Sequence, residues 1–383
     1  MNILVYDFLG SFIQKDLTEA VRAAGHKVKE AVIRPLDKYS DEKTEKDVCA
    51  EIKSGGFDLV LTTNFLPLLA KVCNKVSVPY VSWVYDSPPE LPTLQYMDCP
   101  GNRIYFFSRH DHETYKNMGL ESVYYLPLAV NTERLDRCRA DKRFEADVSF
   151  VGKMYEPVLP TLKSCMSEYQ KGYIEAVVNV QEKLYGVDLF NMMIDENFAD
   201  SVCKEYKSRG VKDIEPNARQ LRWAVAEYVS CLDRINLLNV MSERYDTRLY
   251  TGSISDAMRS NLRKVDVREP IDYLTEMPLV FKSTDINLCP IIRANVTGIP
   301  LRALDIMGCN AFMISSYQPE LAEYFVPGEE VVMYASIEEA VELADYYFKH
   351  EEERKQIAKR AYEIVRKNFN YAGRVGKLLS DVK

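Results

Sequence analysis

The residues best suited to chemistry surround one short predicted helix near position 300. Gly298 interrupts the chain just before this helix, and Arg302 and Asp305 lie at i and i+3 on one of its faces. The backbone N–H groups of a helix amino terminus and an arginine guanidinium can bind a diphosphate, and a carboxylate one turn later can bind a ribose diol. An exposed ion pair within the helix is the alternative. Both interpretations stay open, and we include Arg293, just upstream, with these three residues as candidate nucleotide ligands.

Polar residues also follow several apolar runs in the first part of the chain. Asp86 ends such a run and precedes a Ser-Pro-Pro turn. It should therefore lie in a loop at the carboxyl end of a strand, where open α/β sheets bind their ligands. A carboxylate there can act as a general base toward a substrate hydroxyl, whereas capping of the proline turn is the alternative. Comparable strand ends carry Gly10, Ser11, Asn64 and Ser108.

Several well-known ligand-binding motifs are missing from the sequence. The first predicted strand leads into Asp-Phe-Leu-Gly-Ser-Phe and not into G-x-G-x-x-G, and no G-x-x-x-x-G-K-[ST] occurs. These absences argue against a dehydrogenase and against a P-loop enzyme. His110 and His112 are two residues apart, and side chains at that spacing diverge on a helix. We therefore expect no metal site.

Composition narrows the class of protein further. A hydrophobic fraction of 47% and a charged fraction of 28% are typical of a globular protein, and the net charge of −8 argues against binding of nucleic acid through bulk charge. Nine scattered cysteines without a C-x-x-C pair predict reduced thiols. No signal peptide and no run of about 18 apolar residues is apparent. We expect a cytoplasmic protein without a membrane span.

Apolar runs alternate with amphipathic stretches along most of the chain, which predicts parallel sheets covered by helices on both faces. The charged segment 136–145 is typical of a linker. Strand patterns nearly vanish from 158 to 228, which predicts a helical insertion. We therefore predict an amino-terminal domain at 1–135 and a carboxy-terminal domain at 146–350. A last helical part, 351–383, is expected to pack back on the amino-terminal domain.

The chain resembles a known enzyme family at particular motifs. The segment Gly298–Ser315, with Glu-Leu-Ala-Glu-Tyr-Phe at 320–325 and Gly-Glu-Glu-Val-Val-Met-Tyr at 328–334, resembles the carboxy-terminal domain of GT-B glycosyltransferases, in particular the spore-protein CgeB-like branch. Residues 79–88 and 126–131 resemble the amino-terminal half of that branch. The resemblance implies an α/β fold of two Rossmann-like domains that face each other across a cleft.

The resemblance also implies roles for individual residues. Arg302 would bind the donor diphosphate, and Asp305 the donor ribose, where many relatives have glutamate. Many relatives have a second glutamate eight residues upstream that faces the donor sugar, and this sequence has Thr297 there. Gly152 and Lys153 match the turn whose backbone N–H groups approach the diphosphate, although a solvated loop lysine is the alternative for Lys153.

The implied activity is that of a metal-independent glycosyltransferase of the hexosyltransferase type. The donor substrate would be a nucleotide-sugar, with UDP as the expected nucleotide, and no separate cofactor is expected. The acceptor would be a bacterial surface or glycoconjugate molecule, that is a glycan, glycolipid or protein. Asp86 would act as the base, with Gly10, Ser11, Asn64 and Ser108 on the acceptor side. An inactive GT-B-like surface or spore-layer protein and a nucleotide-sugar epimerase are the alternatives.

Overall fold

The first part of the chain forms a six-stranded parallel sheet with helices between most of its strands. The computed structural model describes residues 1–8, 10–89, 91, 93–211, 213–380 and 382. The strands are β1 (Asn2–Asp7), β2 (Lys27–Val32), β3 (Leu59–Thr63), β4 (Tyr80–Val84), β5 (Asn102–Phe106) and β6 (Val123–Tyr125). The helices are α1 (Gln14–Ala23), α2 (Glu42–Gly55), α3 (Pro67–Val76), α4 (Arg109–Asn117) and α5 (Thr132–Asp136).

Burial and turn chemistry explain these elements. Every residue of β3 and of β4 is buried, as expected for central parallel strands that helices cover on both faces. Helix α2 begins where the Asp41 side chain accepts a hydrogen bond from the Thr44 backbone N–H, and it ends at Gly56 in the left-handed conformation, with φ of 58°. Local sequence signals therefore place the ends of this helix.

The second part of the chain forms another six-stranded parallel sheet. Its strands are β7 (Ala146–Val151), β8 (Thr247–Tyr250), β9 (Asp266–Arg268), β10 (Thr284–Cys289), β11 (Met313–Ser316) and β12 (Val332–Tyr334). Two helices, α11 (Asp256–Asn261) and α12 (Met277–Ser283), lie between strands β8 and β10. The later helices are α13 (Leu301–Gly308), α14 (Pro319–Tyr324), α15 (Ile337–Lys349), α16 (Glu351–Asn368) and α17 (Tyr371–Ser380).

Five helices separate β7 from β8. They are α6 (Leu159–Lys163), α7 (Glu168–Gln181), α8 (Leu189–Met193), α9 (Glu196–Ser208) and α10 (Ala218–Ser242). They share a hydrophobic core of their own, which includes Leu159, Ile174, Val202 and Leu221. We call residues 159–242 the helical segment. That it is an insertion relative to other proteins of this fold stays a prediction.

The chain divides into two compact units. The first contains Met1–Arg134, Thr297–Leu304 and Glu363–Lys383, and the second contains Leu135–Val296 and Asp305–Tyr362. Within the first unit, α17 packs on α1, and the ring of Tyr371 meets that of Trp83 edge-on. The predicted domain boundaries at 135, 146 and 350 remain predictions. Among the described residues, no helix is both long enough and apolar enough to cross a membrane.

Strand order locates one ligand-binding crevice in each sheet. The first sheet has the order β2-β1-β3-β4-β5-β6, and the second has the order β12-β11-β10-β7-β8-β9. The chain changes direction across the sheet between β1 and β3 in the first unit, and between β7 and β10 in the second. Open parallel sheets bind ligands outside the carboxyl ends of the two strands at such a switch point. A ligand site is therefore expected at these two pairs of strand ends.

Candidate functional site

The crevice of the second unit begins at Gly152 and Lys153, directly after β7. A Cβ atom at Gly152 would lie 2.7 Å from the Phe150 ring, so the turn is tight. The Lys153 side chain is 70% exposed, and its Nζ is 3.8 Å from Glu227 Oε1. Burial raises the pKa of Glu227 above its usual value. A long ion pair with such an exposed lysine is weak, so Lys153 can turn toward an anionic ligand.

Arg234 connects the two loops that form this crevice. Its guanidinium donates to the carbonyl oxygen of Lys153 at 2.5 Å and to that of Pro290 at 2.9 Å. It also stacks over the Tyr155 ring, 4.4 Å from the centroid. Arg234 is buried on α10, so the helical segment holds the loops after β7 and β10 at a fixed separation. The sequence pattern of a buried helix gave no reason to single out this arginine.

Arg293, which we predicted as a nucleotide ligand, is held inside the second unit. Its Nη2 is 3.0 Å from Asp233 Oδ1, and its Nη1 donates to the Leu184 carbonyl oxygen at 3.2 Å. The guanidinium lies 3.4 Å from the centroid of the Tyr185 ring. The Arg293 and Asp233 side chains are 4% and 5% exposed. The cation is thus already neutralised and stacked within the second unit, and its role in nucleotide binding stays a prediction.

The other predicted nucleotide ligands lie on or beside α13. The Asp305 side chain is fully buried and accepts a hydrogen bond from the Tyr273 hydroxyl at 2.9 Å. Arg302 is half-buried. Gly298 is packed against the loop after β5, since a Cβ atom there would lie 2.9 Å from Ser108 Cα. The roles of these three residues in nucleotide binding stay predictions.

Asp86 lies at the strand-end edge of the first unit and is exposed. The Asn64 side-chain amide donates to Asp86 Oδ2 at 2.6 Å, and Asn64 Oδ1 accepts from the backbone N–H of Tyr85 at 2.9 Å. Burial raises the pKa of the Tyr85 hydroxyl to about 12, and the negative charge of Asp86 adds to this shift. Asn64 itself is buried, with φ of 72°. The structure therefore brings two predicted residues together and fixes the Asp86 carboxylate through an amide.

A second polar group lies after β5 in the same unit. The Ser108 side chain caps α4 by accepting from the Asp111 backbone N–H at 3.2 Å, and Asp111 accepts from the Ser87 hydroxyl at 2.6 Å. Thr297 joins this group: its Oγ1 lies 3.2 Å from Ser108 Oγ and accepts from the His110 backbone N–H at 2.9 Å. Asp111 and Thr297 were not among the predicted ligands of this edge.

Gly10 and Ser11 follow β1, on the other side of the crevice of the first unit. The Gly10 backbone N–H donates to Asp7 Oδ1 at 2.6 Å, and Gly10 has φ of 73°. Arg34 closes the turn from the β2 side by donating to the Asp7 carbonyl oxygen at 2.7 Å. Since Asn64 ends the neighbouring strand β3, both sides of this crevice carry predicted residues. Their contact with an acceptor stays a prediction.

No metal site is visible where the chain is described. Within residues 1–8, 10–89, 91, 93–211, 213–380 and 382, no three His, Cys, Asp or Glu side chains converge to hold a metal ion.

Comparison with known proteins agrees with the two-sheet architecture. The chain superposes on sucrose-phosphate synthase from Thermosynechococcus elongatus with a TM-score of 0.58 at 13% identity, over 100% of this chain and 99% of that one. It superposes on HepE from Anabaena, solved with UDP and glucose, with a TM-score of 0.57 at 10% identity and full coverage of both chains. A UDP-forming α,α-trehalose-phosphate synthase from Burkholderia xenovorans gives a TM-score of 0.57 at 12% identity, over 100% and 99% of the two chains.

Comparison of the sequence with known families finds similarity in one region of the chain. No curated protein sequence matches the chain. Residues 225–380 match the family model described as "Glycosyl transferase-like". This match covers the end of the helical segment and most of the second sheet. The chain therefore has the two parallel-sheet α/β domains of the GT-B fold, and its second half is similar to a glycosyltransferase family.

Proposed function

We propose that the protein is a glycosyltransferase that moves a sugar from a nucleotide-sugar to a hydroxyl group of an acceptor without a metal ion. The observation that carries the proposal is the crevice after β7 and β10, where a tight glycine turn and an exposed lysine lie beside a region similar to glycosyltransferases. HepE was solved with UDP and glucose, and the trehalose-phosphate synthase is UDP-forming. These relatives support UDP as the nucleotide.

On the donor side, cationic groups take the place of a metal ion. Negative charge grows on the diphosphate as the sugar leaves, and fixed positive groups stabilise that charge. Lys153, the backbone N–H groups near Gly152, and Arg302 are the groups that we assign to this task. Arg293 contributes indirectly, since its cation is paired with Asp233.

On the acceptor side, Asp86 is the proposed general base. Its carboxylate is exposed and oriented by Asn64, so it is placed to come within hydrogen-bond reach of a bound hydroxyl, as a general base must. Gly10, Ser11 and Ser108 would line the same edge. A bacterial glycan, glycolipid or protein is the proposed acceptor, and a hexose the transferred group. Membership of the CgeB-like branch is part of this proposal.

A cytoplasmic location belongs to the same proposal. All nine cysteines are free thiols. Unpaired cysteines are typical of proteins in a reducing compartment.

One observation favours a second candidate, a non-catalytic protein of the same fold. Asp305, the predicted ribose ligand, is fully buried. A protein that had lost donor binding would not need this carboxylate to reach a ligand. Such a protein would bind neither UDP nor a UDP-sugar. A nucleotide-sugar epimerase, the third alternative, would convert its donor without an acceptor.

The test is calorimetric titration of UDP and UDP-glucose into the wild type and the variants Lys153→Ala and Arg302→Ala. Loss of one charge-assisted contact of about 1.5–3 kcal/mol should weaken binding of either ligand about 10- to 100-fold. Lys204→Ala is the matched control, because Lys204 is an exposed lysine of the same unit that lies on α9, outside this crevice. Equal affinity in all variants would reject the assigned phosphate ligands, and no binding at all would favour the non-catalytic candidate.

A further inference from the structure

The helical segment places a buried carboxyl group beside the crevice after β7 and β10. Glu227 and Arg234 both lie on α10 at a spacing of two helical turns, so their side chains share one face of the helix. Arg234 donates to the carbonyl oxygens of Lys153 and Pro290, in the loops after β7 and β10. This face of α10 therefore brings Glu227 next to the Lys153 side chain.

Glu227 and Lys153 differ in how freely they can move. The Glu227 side chain is 11% exposed and that of Lys153 is 70% exposed, and Lys153 Nζ lies 3.8 Å from Glu227 Oε1. An ion pair with such an exposed lysine contributes little, so the ammonium group can leave at small cost. The carboxyl group stays where the packing of α10 holds it. A ligand can therefore take the lysine away from Glu227.

The charge of Glu227 has few compensating groups. Burial raises the pKa of its carboxyl group, and the charge of Lys153 opposes this effect. The indole N–H of Trp223, one turn earlier on α10, also favours the ionised form. Further along the same helix, Asp233 is already paired with Arg293. Within the part of the chain that the structure describes, Lys153 is thus the main cation that acts on Glu227.

Binding of a diphosphate by Lys153 would separate this pair. Glu227 would lose its counter-charge and gain an anion nearby, and both changes disfavour an ionised carboxyl group, as burial does. A buried charge without a partner is costly, and such a group neutralises itself by changing its protonation state. A proton from the solvent would therefore bind to the Glu227 carboxylate as Lys153 turns to the ligand.

We propose that Glu227 is a positioning residue for Lys153, and that it takes up a proton when a nucleoside diphosphate binds. In the free protein the carboxylate holds the ammonium group beside the crevice. In the complex the neutral carboxyl group no longer competes with the diphosphate for that cation. The inference rests on the proposed function, because it takes Lys153 as a phosphate ligand, and it gives the helical segment a part in donor binding.

The test is calorimetric titration of UDP into the whole chain, in PIPES and in imidazole buffer, over about pH 5.5–8. Because the two buffers differ in their heats of ionisation, the difference in binding heat gives the protons taken up per UDP. The variants are Glu227→Gln, which cannot titrate, and Lys153→Ala, in which the carboxyl group lacks its cation before UDP arrives. Glu175→Gln is the matched control, because Glu175 is 59% exposed and pairs with another lysine, Lys163, at 2.6 Å.

We expect the wild type and Glu175→Gln to take up protons on binding UDP, and Glu227→Gln and Lys153→Ala to take up fewer. The terminal phosphate of UDP titrates near about pH 6, and the comparison of wild type with Glu227→Gln cancels its contribution. At low pH, where Glu227 is neutral even in the free protein, these two should bind UDP alike. As the pH rises, wild-type affinity should fall relative to that of Glu227→Gln, by about 10-fold for each unit by which UDP raises the pKa of Glu227.

Equal proton uptake in the wild type and in Glu227→Gln would overturn the assignment of Glu227 and leave the proposed function standing. Loss of uptake in the Glu175→Gln control would overturn it too. So would a Glu227→Gln protein that binds UDP more weakly than the wild type at every pH, since that is the sign of a purely structural role. If Glu227→Gln does not fold, Lys153→Ala decides, because uptake equal to that of the wild type contradicts the proposal. If none of the proteins binds UDP, both proposals fail.

Discussion

Replacement of Gly298 by alanine should destabilise the first unit by about 2 kcal/mol. A Cβ atom built there would lie 2.5 Å from Cε2 of Phe107 and 2.9 Å from Cα of Ser108. Non-bonded carbon atoms pack at about 3.5–4.0 Å, so the ring and the backbone must each give way by about 1 Å. Phe107 is 4% exposed, so its ring is packed inside the protein and cannot move without disturbing its neighbours. Gly298 is not in the left-handed region, so the cost is steric.

The displacement should also change the polar group after β5. Thr297 precedes Gly298 and bonds to Ser108 and to the backbone N–H of His110. A shift of about 1 Å would lengthen both bonds beyond the usual range of about 2.7–3.2 Å. The same variant should therefore lower turnover as well as stability, if this edge binds the acceptor as proposed.

Thermal unfolding followed by circular dichroism measures the effect. A loss of about 2 kcal/mol corresponds to a fall in Tm of about 4–8 °C for a unit of this size. Gly252→Ala is the control, because a Cβ atom at Gly252 would have no neighbouring atom within 4 Å and the residue has no positive φ. Its Tm should change by an amount equivalent to at most about 0.5 kcal/mol. If both variants melt at the same temperature, the packing argument at Gly298 is refuted.

Three further variants test other parts of the structure. Asp86→Asn should lower turnover about 10²- to 10⁴-fold with UDP affinity unchanged, and steady-state kinetics that show normal turnover would remove Asp86 as the base. Asp233→Ala leaves the Arg293 cation buried and unpaired, so urea unfolding should show a loss of about 3–5 kcal/mol, against almost none for the exposed control Asp200→Ala. Burial raises the pKa of Glu227, so the native state holds this proton more tightly, and the contribution of Glu227 to stability falls as the pH rises above about 4.3. Glu227→Gln should flatten that fall in unfolding measured over a pH series, and an unchanged slope would contradict it.

Much of the fold could be predicted from local patterns. Runs such as Leu59–Thr63 are largely apolar and flanked by turn residues, which is how a central parallel strand appears in sequence. The prediction of two parallel-sheet α/β domains is confirmed. The short strand β9 was not predicted, because it has three residues and none of them is fully buried. Helix α10 begins at Ala218, where Asn217 and Gln220 form a capping box. Its apolar positions pack on several neighbouring helices, which blurs the helical period in the sequence.

The candidate site was predictable only in part. Strand-end loops could be located, so Asp86, Asn64, Gly152 and Lys153 were singled out correctly as residues at the ends of strands. The burial of Asp305 could not be foreseen, because a carboxylate on a short helix is exposed or buried according to which neighbour covers that face. Here Tyr273, 32 residues earlier in the sequence, donates to it.

By itself the sequence determined the kind of elements and their order, because backbone preference and hydrophobic period act over a few residues. It also determined the glycine turns, since conformations such as that of Gly10 admit few other residues. The tertiary structure alone decided which polar groups meet. Asn64 reaches Asp86 because β3 and β4 are neighbours. Arg293 finds Asp233, 60 residues away, because helix α10 packs beside the loop that follows β10. Such pairings depend on strand order and on helix packing, and no local pattern encodes either of them.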